Sequence, residues 1–226
     1  MADARFIDQA HSPSTLSGHK VLRQTYTLLA MTLVWSALTA VASMMINPPL
    51  MIAMACLLGS FGMLFFLRRV ANSAKALYWV FGFTGLMGFA LGPMLNNYVM
   101  SSASGSFLIF QALATTGAIF LSLSGYTLIS KKDFSFMGGF LMVGLWVLVG
   151  AIVFNLIAGL MGYPISGLHL AISSMAVVIF SGLILFDTSR ILNGGETNYI
   201  MATVSLYLNI YNLFIHLLAL FGWADD

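Results

Sequence analysis

The chain has 226 residues, of which 60% are hydrophobic and only 7% charged. A soluble globular domain carries about 25% charged residues, so an ordinary soluble core does not fit. The formal net charge of +2 sits in short basic clusters beside apolar blocks, which does not suit soluble nucleic-acid binding either. The composition is that of a polytopic membrane protein in contact with the lipid bilayer.

Residues 1–20 read as a polar tail with Pro13 and several Ser and Thr, expected to be mobile and cytoplasmic. A membrane domain is expected over 21–226. Its apolar blocks reach the roughly 18 or more residues that cross a bilayer core of about 30 Å as a helix. They predict seven spans, at 24–46, 50–67, 76–98, 105–129, 135–161, 166–192 and 199–223. The first has the outline of a signal peptide, with Lys20 and Arg23 ahead of it and Ala40-Val41-Ala42 as a possible cleavage site. Its apolar run continues through Ile46, so it is read as an uncleaved transmembrane helix. The single cysteine, Cys56, lies in the second apolar run and permits no intrachain disulfide.

Between the spans stand turn residues or charges: Asn47-Pro48-Pro49, Arg68-Arg69, Ser101 to Ser106, Lys131-Lys132-Asp133, Gly162-Tyr163-Pro164 and Asn193-Gly194-Gly195. Seven alternating spans put all nine Lys and Arg residues on one side, leaving Asp225 and Asp226 on the other. The positive-inside rule then predicts a cytoplasmic N-terminus and an external C-terminus. A six-span arrangement would break that pattern.

Polar residues within the spans mark faces that meet protein or water rather than lipid. In the last span Ser205, Asn209, Asn212 and His216 fall at i, i+4, i+7 and i+11, one stripe of a helix. Span one has a similar stripe in Thr25, Thr32, Ser36, Thr39 and Ser43. Span three carries Gly82, Gly85, Gly88 and Gly92, small residues that let helices approach closely. The last span is therefore expected at the centre of the bundle. Its stripe is either part of a pathway or a set of interhelical hydrogen bonds.

In span six Asp187 lies about five residues, or roughly 7 Å, from the helix end. Arg190 is at i+3 and Arg68 ends span two at a similar level, so both are candidate partners. The cluster is either an interfacial ion pair or a gate, since intramembrane carboxylates tend to mark ion and proton pathways. Enzyme signatures are weak: there is no nucleotide-binding glycine loop and no His-Glu pair at metalloprotease spacing. His169 and His216 read as hydrogen-bonded core histidines before pore-lining ones. Gly194-Gly195 reads as a turn between helices, and no cofactor is indicated.

"SGLILFDTSRILNGGETNYIMATVSLYLNIYNLF" at 181–214, with "KKDFSFMGG" at 131–139, resembles the Bax inhibitor-1, or transmembrane Bax inhibitor motif, family in its bacterial YccA-like branch. The similarity runs from about residue 19 to the end. It implies an all-α integral membrane fold of seven helices with the last one central, in the bacterial inner membrane. It also implies two activities. YccA-related members regulate the membrane-anchored AAA protease FtsH and are its substrates. Others are proposed pH-sensitive calcium leaks, closed by an aspartate pair on helices six and seven and an arginine ending helix two. Asp187 matches the helix-six aspartate and Arg68 the arginine, in "FFLRR". Where those relatives read "LYLD", this chain reads "LYLN" and has Asn209. Two close carboxylates have strongly split titrations, and that coupling is missing from an Asp–Asn pair. Calcium, the candidate transported ion, prefers carboxylate oxygens as a hard cation. The leading expectation is a non-enzymatic regulator that contacts FtsH. The others are a cation leak gated at Asp187 and Arg68, and a purely structural membrane protein.

Overall fold

The computed structural model describes residues 13–225 except 164 and 166, with side chains from Gly18 onward. It is all-helical among these residues: α1 Pro13–Ile46, α2 Leu50–Val70, α3 Ala76–Ser101, α4 Gly105–Ser130, α5 Gly138–Leu160, α6 Leu168–Leu192 and α7 Tyr199–Asp225. A single 3-10 turn, Ser135–Met137, leads into α5. All seven are long and apolar enough to cross a membrane, and the chain is an all-α, seven-span membrane protein.

The expected spans hold, with shifts at their ends. The largest is in α1, which begins at Pro13, within the segment expected as a tail; the first twelve residues of that tail lie outside the described residues. Proline suits a first helical position because its fixed φ is already helical and its missing N–H would be unpaired there anyway. Pro93 sits inside α3 without ending it, as membrane helices tolerate when neighbours satisfy the freed backbone groups.

Polar contacts tie the connecting segments into two ends. At one, Asn198 Nδ2 donates to the Ala71 carbonyl at 3.1 Å and to Asn72 Oδ1 at 2.7 Å. The Phe134 N–H donates to Ser189 Oγ at 2.9 Å, and Thr203 Oγ1 donates to the Thr25 carbonyl at 3.3 Å. The start of α1 and the α2–α3, α4–α5 and α6–α7 connections meet there. The described Lys and Arg residues all belong to these segments, so this is the basic end. At the other end Asn96 Nδ2 donates to the Met44 carbonyl at 2.9 Å and Asn47 Oδ1 at 3.0 Å. Asp225 accepts from the Ser102 and Ser104 hydroxyls.

α7 is the central helix. It packs on α1, α3, α4 and α6, and thirteen of its residues are buried against two, Leu141 and Leu148, of α5, which lies on α6. The glycines of α3 do what small residues do in a membrane bundle. A Cβ at Gly88 would run into the Ser36 carbonyl, one at Gly92 into Ser43, and one at Gly85 into the Trp35 indole. Gly82 instead faces Met63 of α2. Three of the four therefore admit α1, whose Thr25, Thr32, Ser36 and Ser43 are buried as the stripe predicted.

Candidate functional site

The charged site is built from the end of α2, the end of α6, the following turn and the start of α7. The α6 helix stops at Leu192 because Gly194 adopts φ +76°, a left-handed conformation open to glycine. The reversed chain returns two N–H groups to the Arg190 carbonyl, from Gly195 at 2.8 Å and Glu196 at 3.2 Å. Asn198 then opens α7 as its cap, with Oδ1 accepting from the N–H groups of Ile200 at 2.9 Å and Met201 at 3.1 Å. This turn sets the register between α6 and α7.

Asp187 is buried, at 7% exposure. Its Oδ2 accepts from the Ser205 hydroxyl at 2.6 Å and from Asn209 Nδ2 at 2.8 Å. Ser205 and Asn209 are one turn apart on α7, so both reach the same oxygen. Hydrogen bonds between membrane helices contribute about 0.6 kcal/mol on average and up to about 1.7, so these two tie α6 to α7 at this level.

The expected ion pairs of Asp187 do not form. Arg190 turns to Glu196, with Nη2 to Oε2 at 3.1 Å and Nε donating to the Gly195 carbonyl at 3.2 Å. That is the one ion pair among the described residues, and at 43% and 21% side-chain exposure it is worth at most about 1 kcal/mol. The reason is geometric: the glycine turn brings Glu196 back over Arg190, while Asp187 points across to α7. Arg68 and Asp187 nevertheless line one cavity of about 240 Å³, with Arg190, Glu196 and Ser205 around it. Two arginines and two acidic side chains thus share a space of roughly eight water molecules.

The rest of the α7 stripe follows α6 away from the basic end. His216 Nδ1 lies 3.3 Å from Ser173 Oγ, and its ring stacks on Phe180 at 6.3 Å. It is half-buried and hydrogen-bonded between helices. His169, expected as a core histidine, is instead exposed near the start of α6. Asn212 turns back to its own helix, donating to the Leu208 carbonyl at 2.8 Å.

Sequence reasoning missed a second polar seam on the opposite face of α7. Tyr207 Oη lies 2.7 Å from Ser36 Oγ and 3.4 Å from the Thr84 carbonyl, while Tyr211 Oη donates to the Met87 carbonyl at 3.2 Å. Tyrosines four apart on the face of α7 opposite its polar stripe were the available signal, since a buried phenol needs a partner. It also missed Ser189, which holds the α4–α5 connection to α6, and the partnership of Arg190 with Glu196. In that connection Asp133 Oδ1 accepts from the Ser135 N–H at 2.8 Å. Hydrogen bonds from the Ser135 hydroxyl, then from its N–H, hold the Asp133 carboxyl below its usual range.

Fold and site together define a seven-helix membrane protein with a central polar helix and a buried aspartate bonded to it near the basic end. The chain belongs to the Bax inhibitor-1 family: the family described as "Inhibitor of apoptosis-promoting Bax1" matches residues 18–226. A Vibrio cholerae protein named only as an uncharacterized membrane protein is 52% identical over 213 residues, 94% of this chain and 93% of its own. The Escherichia coli K12 protein named "Modulator of FtsH protease YccA" is 44% identical over 98% of both chains. The mouse protein lifeguard 4 is 30% identical over 87% of this chain and 82% of its own.

Proposed function

We propose that this chain is a non-enzymatic regulator in the bacterial inner membrane that modulates the membrane-anchored AAA protease FtsH by direct contact. The observation that carries the reading is the 44% identity, over 98% of both chains, to a protein named as a modulator of that protease. A second Escherichia coli relative with the same identity and coverage is named an inner membrane protein. The polar residues ahead of α1 support the reading, because a processive unfoldase needs a segment to grip. The basic clusters support a cytoplasmic side for that segment by the positive-inside rule, where such a protease works, with the C-terminus outside.

The experiment is co-purification of the full-length chain with FtsH from membranes, with the lifetime of an FtsH substrate followed as the chain is overproduced. Recovery of the protease and a longer substrate lifetime are expected. A chain that neither recovers the protease nor changes turnover would overturn the reading. Removing residues 2–12 should lengthen the protein's own lifetime while leaving it folded in the membrane. An unchanged lifetime would take the tail out of the mechanism.

A second reading, a cation leak gated near Asp187 and Arg68, is favoured by the cavity that holds both. On it, Asp187→Asn loosens the junction of α6 and α7 and raises calcium flux in liposomes. Asn209→Asp, which sets a second titrating carboxylate beside the first, makes the flux respond to pH. Flat and indistinguishable flux from both variants and the parent would leave the cavity a structural junction.

A further inference from the structure

We infer that the protein holds the acyl chain of a phospholipid in a lateral cavity between α1 and α4, in the leaflet away from the basic end. The two helices meet near that end, where Tyr26 Oη donates to Ser124 at 2.9 Å and its ring lies 5.7 Å from Phe120. Toward the opposite end they part, and a cavity of about 330 Å³ lies between them, floored by α3 and α7. Val41 of α1 and Leu113 of α4 line it and are exposed, so it opens sideways toward lipid.

Three features select the occupant. Along α1 the lining runs from Leu33 to Met44, about 16 Å at 1.5 Å per residue. That is half of the roughly 30 Å hydrocarbon thickness, the depth reached by the acyl chains of one leaflet. The hydroxyls in the lining are already engaged: Ser36 with Tyr207, Thr116 with the Ala112 carbonyl at 2.7 Å, and Tyr211 with the Met87 carbonyl. A buried water needs about two to four polar partners, and the hydroxyl protons of this wall are already committed to protein acceptors. An apolar cavity of even about 150 Å³ takes up an apolar guest. Here the guest at hand is the surrounding lipid.

Gly117 gives the means of testing it. It lines the cavity, and a Cβ there meets nothing within 4 Å. Gly125, two turns further along α4, has equally open space but does not line the cavity. The full chain, reconstituted in phosphatidylethanolamine and phosphatidylglycerol and then extracted into detergent, should retain roughly one phospholipid per protein, as one occupied apolar cavity requires. Each methylene shut out lowers affinity roughly fourfold. Gly117→Phe should therefore cut retention about tenfold or more, and Gly125→Phe should match the parent. A nitroxide on Gly117→Cys in a Cys56→Ala background should be more accessible to oxygen than to an aqueous nickel chelate. Equal retention in the three chains, or a label reached more readily by the chelate, would overturn the inference.

Discussion

α5 and α7 are both apolar enough to cross a bilayer, yet they occupy opposite places. Their hydropathy differs in the unexpected direction, the peripheral α5 being the more apolar and the central α7 the less. In water the more apolar helix would be buried. In lipid there is no such drive, because acyl chains are as apolar as leucine, and helices associate through close packing and hydrogen bonds. α7 presents Ser205 and Asn209 to Asp187, and Tyr207 and Tyr211 to α1 and α3. α5 turns Trp146, at 70% exposure, outward. The polar residues, not the oily ones, decide the centre of this bundle.

The largest expected effect breaks the α7 side. Asp187→Ala removes two interhelical hydrogen bonds and strands a buried amide and a hydroxyl. It should lower stability by about 3 kcal/mol, read from reversible unfolding in mixed micelles. Gly88→Val comes next, because its side chain would meet the backbone of α1 at Ser36. Overpacking of this kind should cost about 2 kcal/mol and appear as a lower unfolding midpoint. On the α5 side, Trp146→Leu should change stability by less than about 0.5 kcal/mol, as expected of a side chain that faces lipid in both states. A loss as large as that of Gly88→Val would show that the outer face of α5 is packed.

The smallest effect concerns pH. Asp133 has its folded pKa lowered beneath the ordinary 3.8 by the Ser135 hydroxyl and N–H. Its stabilisation of the α4–α5 connection is full above the ordinary value and is lost as pH falls through the lowered one. Amide exchange at Ser135, corrected for intrinsic rate, should show the same protection from about pH 8 to pH 5 and lose it only in stronger acid. Loss of protection near neutrality would point to another titrating group.

Much of this was legible in the sequence, and the reason is the solvent. Lipid forces every backbone group into a helix, so block lengths and basic clusters recovered seven spans, with their largest error at the start of α1. The α7 stripe and the α3 glycines were readable because helical spacing converts directly into a face. Asp187 was readable as a polar position within a span, and the family resemblance set Asn209 opposite it, but the loss of Arg190 as its partner was not readable. At i+3, Arg190 was within reach, and only the turn made by Gly194 and Gly195 returns Glu196 to claim it. The tyrosine seam went unread because Tyr207 and Tyr211 count as apolar in a hydropathy pattern, and their partners are two backbone carbonyls and a distant serine.

The most direct test is a pair of double-mutant cycles on Asp187. Asp187→Ala combined with Asn209→Ala should show a coupling of about 1 kcal/mol, because the two side chains share a hydrogen bond. Asp187→Ala combined with Arg68→Ala should be additive to within about 0.5 kcal/mol. A larger coupling to Arg68 than to Asn209 would contradict the account, making Asp187 an ion-pair partner of α2 rather than the residue that fastens α6 to the central helix.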